Sequence, residues 1–225
     1  MPDRKQWFLL LLVFVLAGIG VATVRWFTDR NTLAWVRVVP HDGQIVSGGL
    51  TGISEILHTK TVNGVFYQAQ VEPYLLPFQG SLQPPLLAEL KNKDASLKWY
   101  NVNPDSLFLR AWSGSYARML MALPEAVRDS INLTSERYNR LRTLAVIAKG
   151  QRRDSLLREL GANMDELTMG KYTSMRKRFA QQLLHASNKK MARQPGNKWV
   201  FLVDIELFPY IRDAIERTSR YQLEE

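Results

Sequence analysis

Two carboxylates two positions apart, Asp204 and Glu206, fall within WVFLVDIELF, the apolar run from Trp199 to Phe208. Alternate side chains of an extended strand share a face. This spacing therefore predicts Asp204 and Glu206 on one side and Val203, Ile205 and Leu207 on the other. A shared carboxylate face can hold a divalent cation through oxygen ligands, or divide the work of general acid and general base. The competing reading is a pair of acidic residues at the wet end of a strand. On balance Asp204 and Glu206 stand as candidates, with no catalytic residue assigned.

Over about ten residues this Asp-x-Glu strand resembles the first metal-binding strand of palm-type nucleotide polymerases and cyclases. The resemblance implies later strands and a second carboxylate, whereas only seventeen residues follow Phe208. Other chemistry is thinly supplied. The chain has no cysteine, and its three histidines, His41, His58 and His185, are far apart and in no metal-binding spacing, so neither a metal nor a cofactor is expected. Ser174 with Lys177 and Ser187 with Lys190 match S-x-x-K without the companion motifs that give it meaning. Lone carboxylates such as Glu89, Glu125 and Glu136 leave open a glycan- or peptidoglycan-processing enzyme, because two carboxylates from distant segments leave no local signature.

Charge carries more information. Residues 134–194 hold fourteen Lys and Arg against five Asp and Glu, so the whole net charge of +9 belongs to this segment. Such a segment is either a set of solvated helix faces or a surface for something anionic. Arg152, Arg153, Lys171, Arg176, Lys177, Arg178, Lys189 and Lys190 are the candidate partner-binding residues, facing other envelope proteins or an anionic lipid or polymer. Gln151 to Lys177 also has some look of a helix-turn-helix, with Gly161 at the turn, which makes a membrane-tethered nucleic-acid binder the main alternative.

The elements that must position these residues follow from periodicity and punctuation. Trp7 to Val24, uncharged and largely apolar, is long enough at about 1.5 Å per residue to cross a bilayer, and predicts an uncleaved signal anchor. A cut near Ala22 is the alternative. Gly18 and Ala22 could let two anchors pack as a homodimer. Leu33 to Val39 predicts a strand, and Ser47 to Gly52 a glycine-rich turn into a short helix. Asn63-Gly64 predicts a hairpin turn, because Asn-Gly tolerates positive φ. Asn103 with Pro104 opens a long core helix, and Gln151 to Leu160 forms another that Gly161 stops. Lys171 to Ser187 carries Tyr172, Met175, Phe179, Leu183 and Ala186 on one face with Arg176 outside it. A last helix runs from Pro209.

These expectations assemble into an α+β, helix-rich chain with a few short antiparallel strands and about six helices. Residues 1–27 form a tail and transmembrane anchor, 28–102 the strand-containing part, and 103–225 a mainly helical part with a strand at 199–208. The function expected is that of a single-pass inner-membrane protein whose periplasmic domain is a non-enzymatic assembly component of a cell-envelope complex, of secretion, conjugation or division type.

Overall fold

A computed structural model describes residues 14–21, 34–58, 62–68, 82–93, 95–127, 135–168, 170–191, 197–218 and 220–224. The chain divides into two compact units, Met1–Leu33 and Ala34–Glu225. In the first, residues 14–21 are helical and exposed. Among the described residues no helix is long and apolar enough to cross a membrane. This finding overturns the single-pass anchor, and with it the inner-membrane placement and the periplasmic domain. Of the span Trp7 to Val24, residues 7–13 and 22–24, the candidate cut at Ala22 among them, lie outside the described residues.

The second unit is an α/β fold. Its elements are β1 (Ala34–His41), α1 (Gly49–His58), β2 (Val62–Tyr67), α2 (Pro84–Lys93), β3 (Trp99–Asn101), α3 (Ser106–Met121), α4 (Ser135–Ile147), α5 (Gly150–Leu167), α6 (Lys171–Met191), β4 (Lys198–Asp204), α7 (Phe208–Glu216) and β5 (Tyr221–Glu224). The five strands form one sheet in the order β3-β2-β4-β1-β5, and every neighbouring pair is parallel. The antiparallel α+β expectation is thereby corrected. A parallel pair needs a crossover connection, and a strand covered on both faces has no polar side to alternate with. β4 shows this directly, since six of its seven residues are buried.

Helices cover both faces. Val200 and Leu202 of β4, with Val65 and Tyr67 of β2, pack beneath Ile53 and Leu57 of α1 and Leu90 of α2. Trp199, Phe201 and Val203 point the other way, into a larger core with Trp112 of α3, Phe179 and Leu183 of α6, and Ile211 and Ile215 of α7. Ala145 and Val146 of α4 meet Ile205 in a third, small cluster just past the end of β4. Thus α4 adjoins the carboxyl edge of the sheet.

Several boundaries differ from the sequence expectations for identifiable reasons. Asn63-Gly64 is no hairpin turn; Gly64 lies inside β2, at a register irregularity where the strand passes β4. A Cβ there would come within 2.7 Å of Tyr100 Cε2 and 2.9 Å of Trp199 Cζ3, so glycine is set by close approach, not by a turn. The cap of α3 is Asp105, whose Oδ1 accepts from the Leu107 amide at 2.8 Å, two residues past Asn103. Gly161 does not stop α5, which runs on to Leu167; the break is at Gly170, with φ of 75°. The run from Trp199 is strand only as far as Asp204, and the tail beyond α7 returns as the edge strand β5.

Candidate functional site

In open parallel sheets, ligands sit outside the carboxyl ends of strands, where neighbouring strands send their connections in opposite directions. Here that point lies between β1 and β4. The sheet order sends the connection from β1 towards β2 on one side, and that from β4 past β1 to β5 on the other. His41 and Asp204 end the two strands as partners in register.

Asp204 and Glu206 do come together, though not by strand alternation. The chain turns after Asp204, whose Oδ1 accepts the Glu206 amide at 2.9 Å. Ile205 N–H donates to the His41 carbonyl at 2.7 Å, fixing this turn to the end of β1. Two helices reach the turn with the same pattern, a tyrosine followed four residues later by an arginine. Side chains at that spacing share a helix face. Tyr138 and Arg142 come from α4, and Tyr172 and Arg176 from α6.

All four converge on the carboxylates. Arg142 Nη2 bonds Asp204 Oδ2, and Arg142 Nε lies 3.4 Å from Glu206 Oε1, which also accepts the Tyr138 hydroxyl. Glu206 Oε2 accepts from the Tyr172 hydroxyl and from Arg176 Nη2. Each guanidinium also stands over the ring of its helix neighbour, Arg142 at 5.8 Å from the Tyr138 centroid and Arg176 at 5.0 Å from that of Tyr172. The charges are closed off from water: Arg142 is 2 % exposed, Arg176 3 %, Asp204 2 % and Glu206 3 %. Two positive and two negative groups leave the cluster formally neutral.

Burial disfavours every charge in the cluster, and the partners decide which survive. For Glu206 the desolvation cost is outweighed by Arg176, Arg142 and the two tyrosine hydroxyls, which hold its carboxyl below the ordinary range. For Asp204, burial and the adjacent Glu206 prevail over Arg142, so its carboxyl is raised. Burial also opposes charge on the arginines, yet the two carboxylates hold both guanidinium groups above their ordinary value. Both tyrosines are pushed up by burial and by the Glu206 charge, which keeps them protonated donors. His41 is driven down to about 3 by burial and the neighbouring Arg142, so its imidazole is neutral. Its Nδ1 accepts the Gly43 amide at 3.1 Å, which leaves the proton on Nε2.

Chemically, the carboxylates of this arrangement are fully engaged, while His41 Nε2 is buried without a hydrogen-bond partner among the described residues. Among the described residues no group of three His, Asp or Glu could hold a metal ion, and the two carboxylates that might have done so bind guanidinium groups instead. The palm-like metal strand implied by Asp-x-Glu is therefore not formed. Asp42 completes the seal. Its Oδ1 accepts the amides of Gln44 and Ile45 at 2.9 and 2.8 Å, and its Oδ2 accepts the Thr143 hydroxyl of α4 at 2.7 Å.

The basic candidates separate into two groups. Arg176 is buried in the cluster. Arg153 is half-buried and structural: it donates to the carbonyls of Ala145 and Val146 at 3.0 and 3.1 Å, near the end of α4, and to Ser47 Oγ at 2.7 Å. Arg152 on α5, and Lys171, Lys177, Arg178, Lys189 and Lys190 on α6, are exposed. Ser174 and Ser187 donate to carbonyls of their own helix, Lys171 and Leu183, and so are not poised nucleophiles. The helix-turn-helix reading changes as well. α6 starts after Gly170 and is uninterrupted, but Tyr172, Arg176 and Phe179 of its first turns are buried within the unit, where a recognition helix would expose groups to a groove.

The sequence marks Asp204 with Glu206 as a carboxylate pair, Arg176 as a surface cation and Tyr172 as a core-facing residue, but does not show that these meet, nor that Tyr138 and Arg142 join them. The available signal was the repeated Tyr-x-x-x-Arg, polar residues at core-facing helical spacing on two separate helices. Compared with protein-family models, with curated proteins and with solved structures, the chain matches none, and the functional reading rests on its own geometry.

Proposed function

We propose that this chain is a non-enzymatic interaction domain, a component that works by binding a partner. One observation carries the reading: at the carboxyl edge of the parallel sheet, the usual place for a substrate, both carboxylates are buried and paired with guanidinium groups. Residues that could titrate or ligate there instead hold α4 and α6 against the ends of β1 and β4. Among the described residues, positive charge without a carboxylate partner lies on solvent-facing helix surfaces, where it can attract an anionic partner without any rearrangement of the core.

The test is site-specific photocrosslinking in cells expressing the full chain, with the reactive residue at Gln181 or His185, exposed on α6, and at Gln44, exposed in the turn after β1. Adducts formed from α6 and absent from Gln44 are expected. Equal labelling at all three positions, or none at any, overturns the reading.

A further inference from the structure

Every charged residue on the layer formed by α3 and α6 is cationic. Neither helix contains an Asp or Glu. They are neighbours in the fold, since the Trp112 and Phe179 rings pack at a tilt of 50° with centroids 5.1 Å apart and the Arg178 guanidinium lies 5.8 Å from the Phe108 ring centroid. On α6, Lys171, Arg178 and Lys189 follow at intervals of seven and eleven residues. They form one outward line that covers about 27 Å at the rise of an α-helix. On α3, Arg110 and Arg118 share an outward stripe with Leu107 and Met121, spaced three, eleven and fourteen residues from Leu107. Among the described residues none of these five cations is paired with a carboxylate.

The apolar members of the stripe distinguish this face from an ordinary solvated one. Leu107 is 73 % exposed and Met121 76 %, so among the described residues both stay largely uncovered beside the arginines of the stripe. A second copy would bring cations against cations and is disfavoured on this face. A polynucleotide would satisfy the cations but offers little to Leu107 and Met121, and among the described side chains of α3 and α6 no Phe, Tyr or Trp is exposed to stack with bases. A bilayer surface rich in anionic headgroups satisfies both: phosphates meet the Arg and Lys line while the Leu and Met tips enter the acyl boundary.

We infer that the outer face of α3 and α6 docks peripherally on anionic phospholipid headgroups. This rests on the reading of the chain as a binding domain and names the chemistry of its partner.

The experiment is flotation of the purified full chain with vesicles of phosphatidylcholine alone, or of phosphatidylcholine mixed with phosphatidylglycerol. Binding that requires phosphatidylglycerol and weakens with salt is expected. Each Lys or Arg at an anionic surface contributes about a factor of five, so the triple variant Arg110→Glu, Arg118→Glu, Arg178→Glu is expected to weaken binding roughly a hundredfold or more. A separate variant, Leu107→Ser with Met121→Ser, is expected to lower binding with the salt dependence retained. Any contribution of residues 1–33 would be common to the parent and these variants, so the difference between them reports on α3 and α6. An unchanged charge variant overturns the inference. So does tighter retention on double-stranded DNA or poly-L-glutamate than on the anionic vesicles. If vesicle binding fails while α6 still forms specific crosslinks in cells, the lipid assignment falls and the binding reading stands; loss of both removes both.

Discussion

The Arg142 guanidinium of α4 is paired with the carboxylate of Asp204 at the end of β4, sixty-two residues further along the chain, and both side chains are buried. Removing one member of such a pair leaves the other charge without a partner in a medium that solvates it poorly. Arg142→Met is therefore expected to cost about 3–5 kcal/mol, and so is Asp204→Leu. The double variant should cost distinctly less than the sum of the two, because it leaves no orphaned charge between them. Denaturant unfolding of the four proteins measures this coupling, and additive losses would show that the pair does not act as a unit.

Acid should weaken the fold before the carboxylates titrate. His41 has an ordinary value of 6.5 and sits at about 3 in the folded chain, so between these values the unfolded chain binds a proton that the folded chain does not. That stability is fully present above about pH 6.5 and is lost as the pH falls towards about 3, at a slope of about 1.4 kcal/mol per unit. Glu206, held low, adds loss in the same direction below the ordinary carboxylate range; Asp204, held high, opposes it. His41→Asn keeps an acceptor for the Gly43 amide and should flatten the dependence between pH 6.5 and 5. An unchanged slope in urea melts over that window would exclude His41 as its source.

Two glycines of the α5–α6 region should respond to alanine in opposite directions. Gly161 lies within α5 with nothing within 4 Å of a built Cβ, so Gly161→Ala should stabilise by about 0.5–1 kcal/mol through helix propensity. Gly170 has φ of 75°, where an L side chain is strained, and Gly170→Ala should destabilise by about 1–2 kcal/mol. Thermal melts decide between this arrangement and a break at Gly161, which would reverse the two signs.

Gly64→Ala tests the close approach in β2. The new methyl group would meet Tyr100, Trp199 and the Lys98 carbonyl oxygen, the last at 3.0 Å, so a loss of about 1–3 kcal/mol is expected. Combining it with Tyr100→Ala should recover part of that loss, as judged by the denaturation midpoint relative to Tyr100→Ala alone. No recovery would place the clash on the backbone carbonyl or on Trp199.

What was legible in the sequence was local. The apolar run from Trp199 announced a strand, the period of Lys171 to Ser187 announced α6, and the spacing of Asp204 and Glu206 put two carboxylates within reach of each other. These features depend on neighbours a few residues apart, whose geometry one element fixes. Strand direction and order did not follow, because β4 lies between β1 and β2 and pairs with residues more than a hundred positions earlier. Arg176 looked like a surface cation because its helix is basic. Only the packing of α6 turns it towards Glu206, in company with Tyr138, Arg142 and Tyr172 from two helices. Whether a charge is free to meet a partner or closed into the core depends on burial and on groups distant in the chain, so tertiary structure alone decided it.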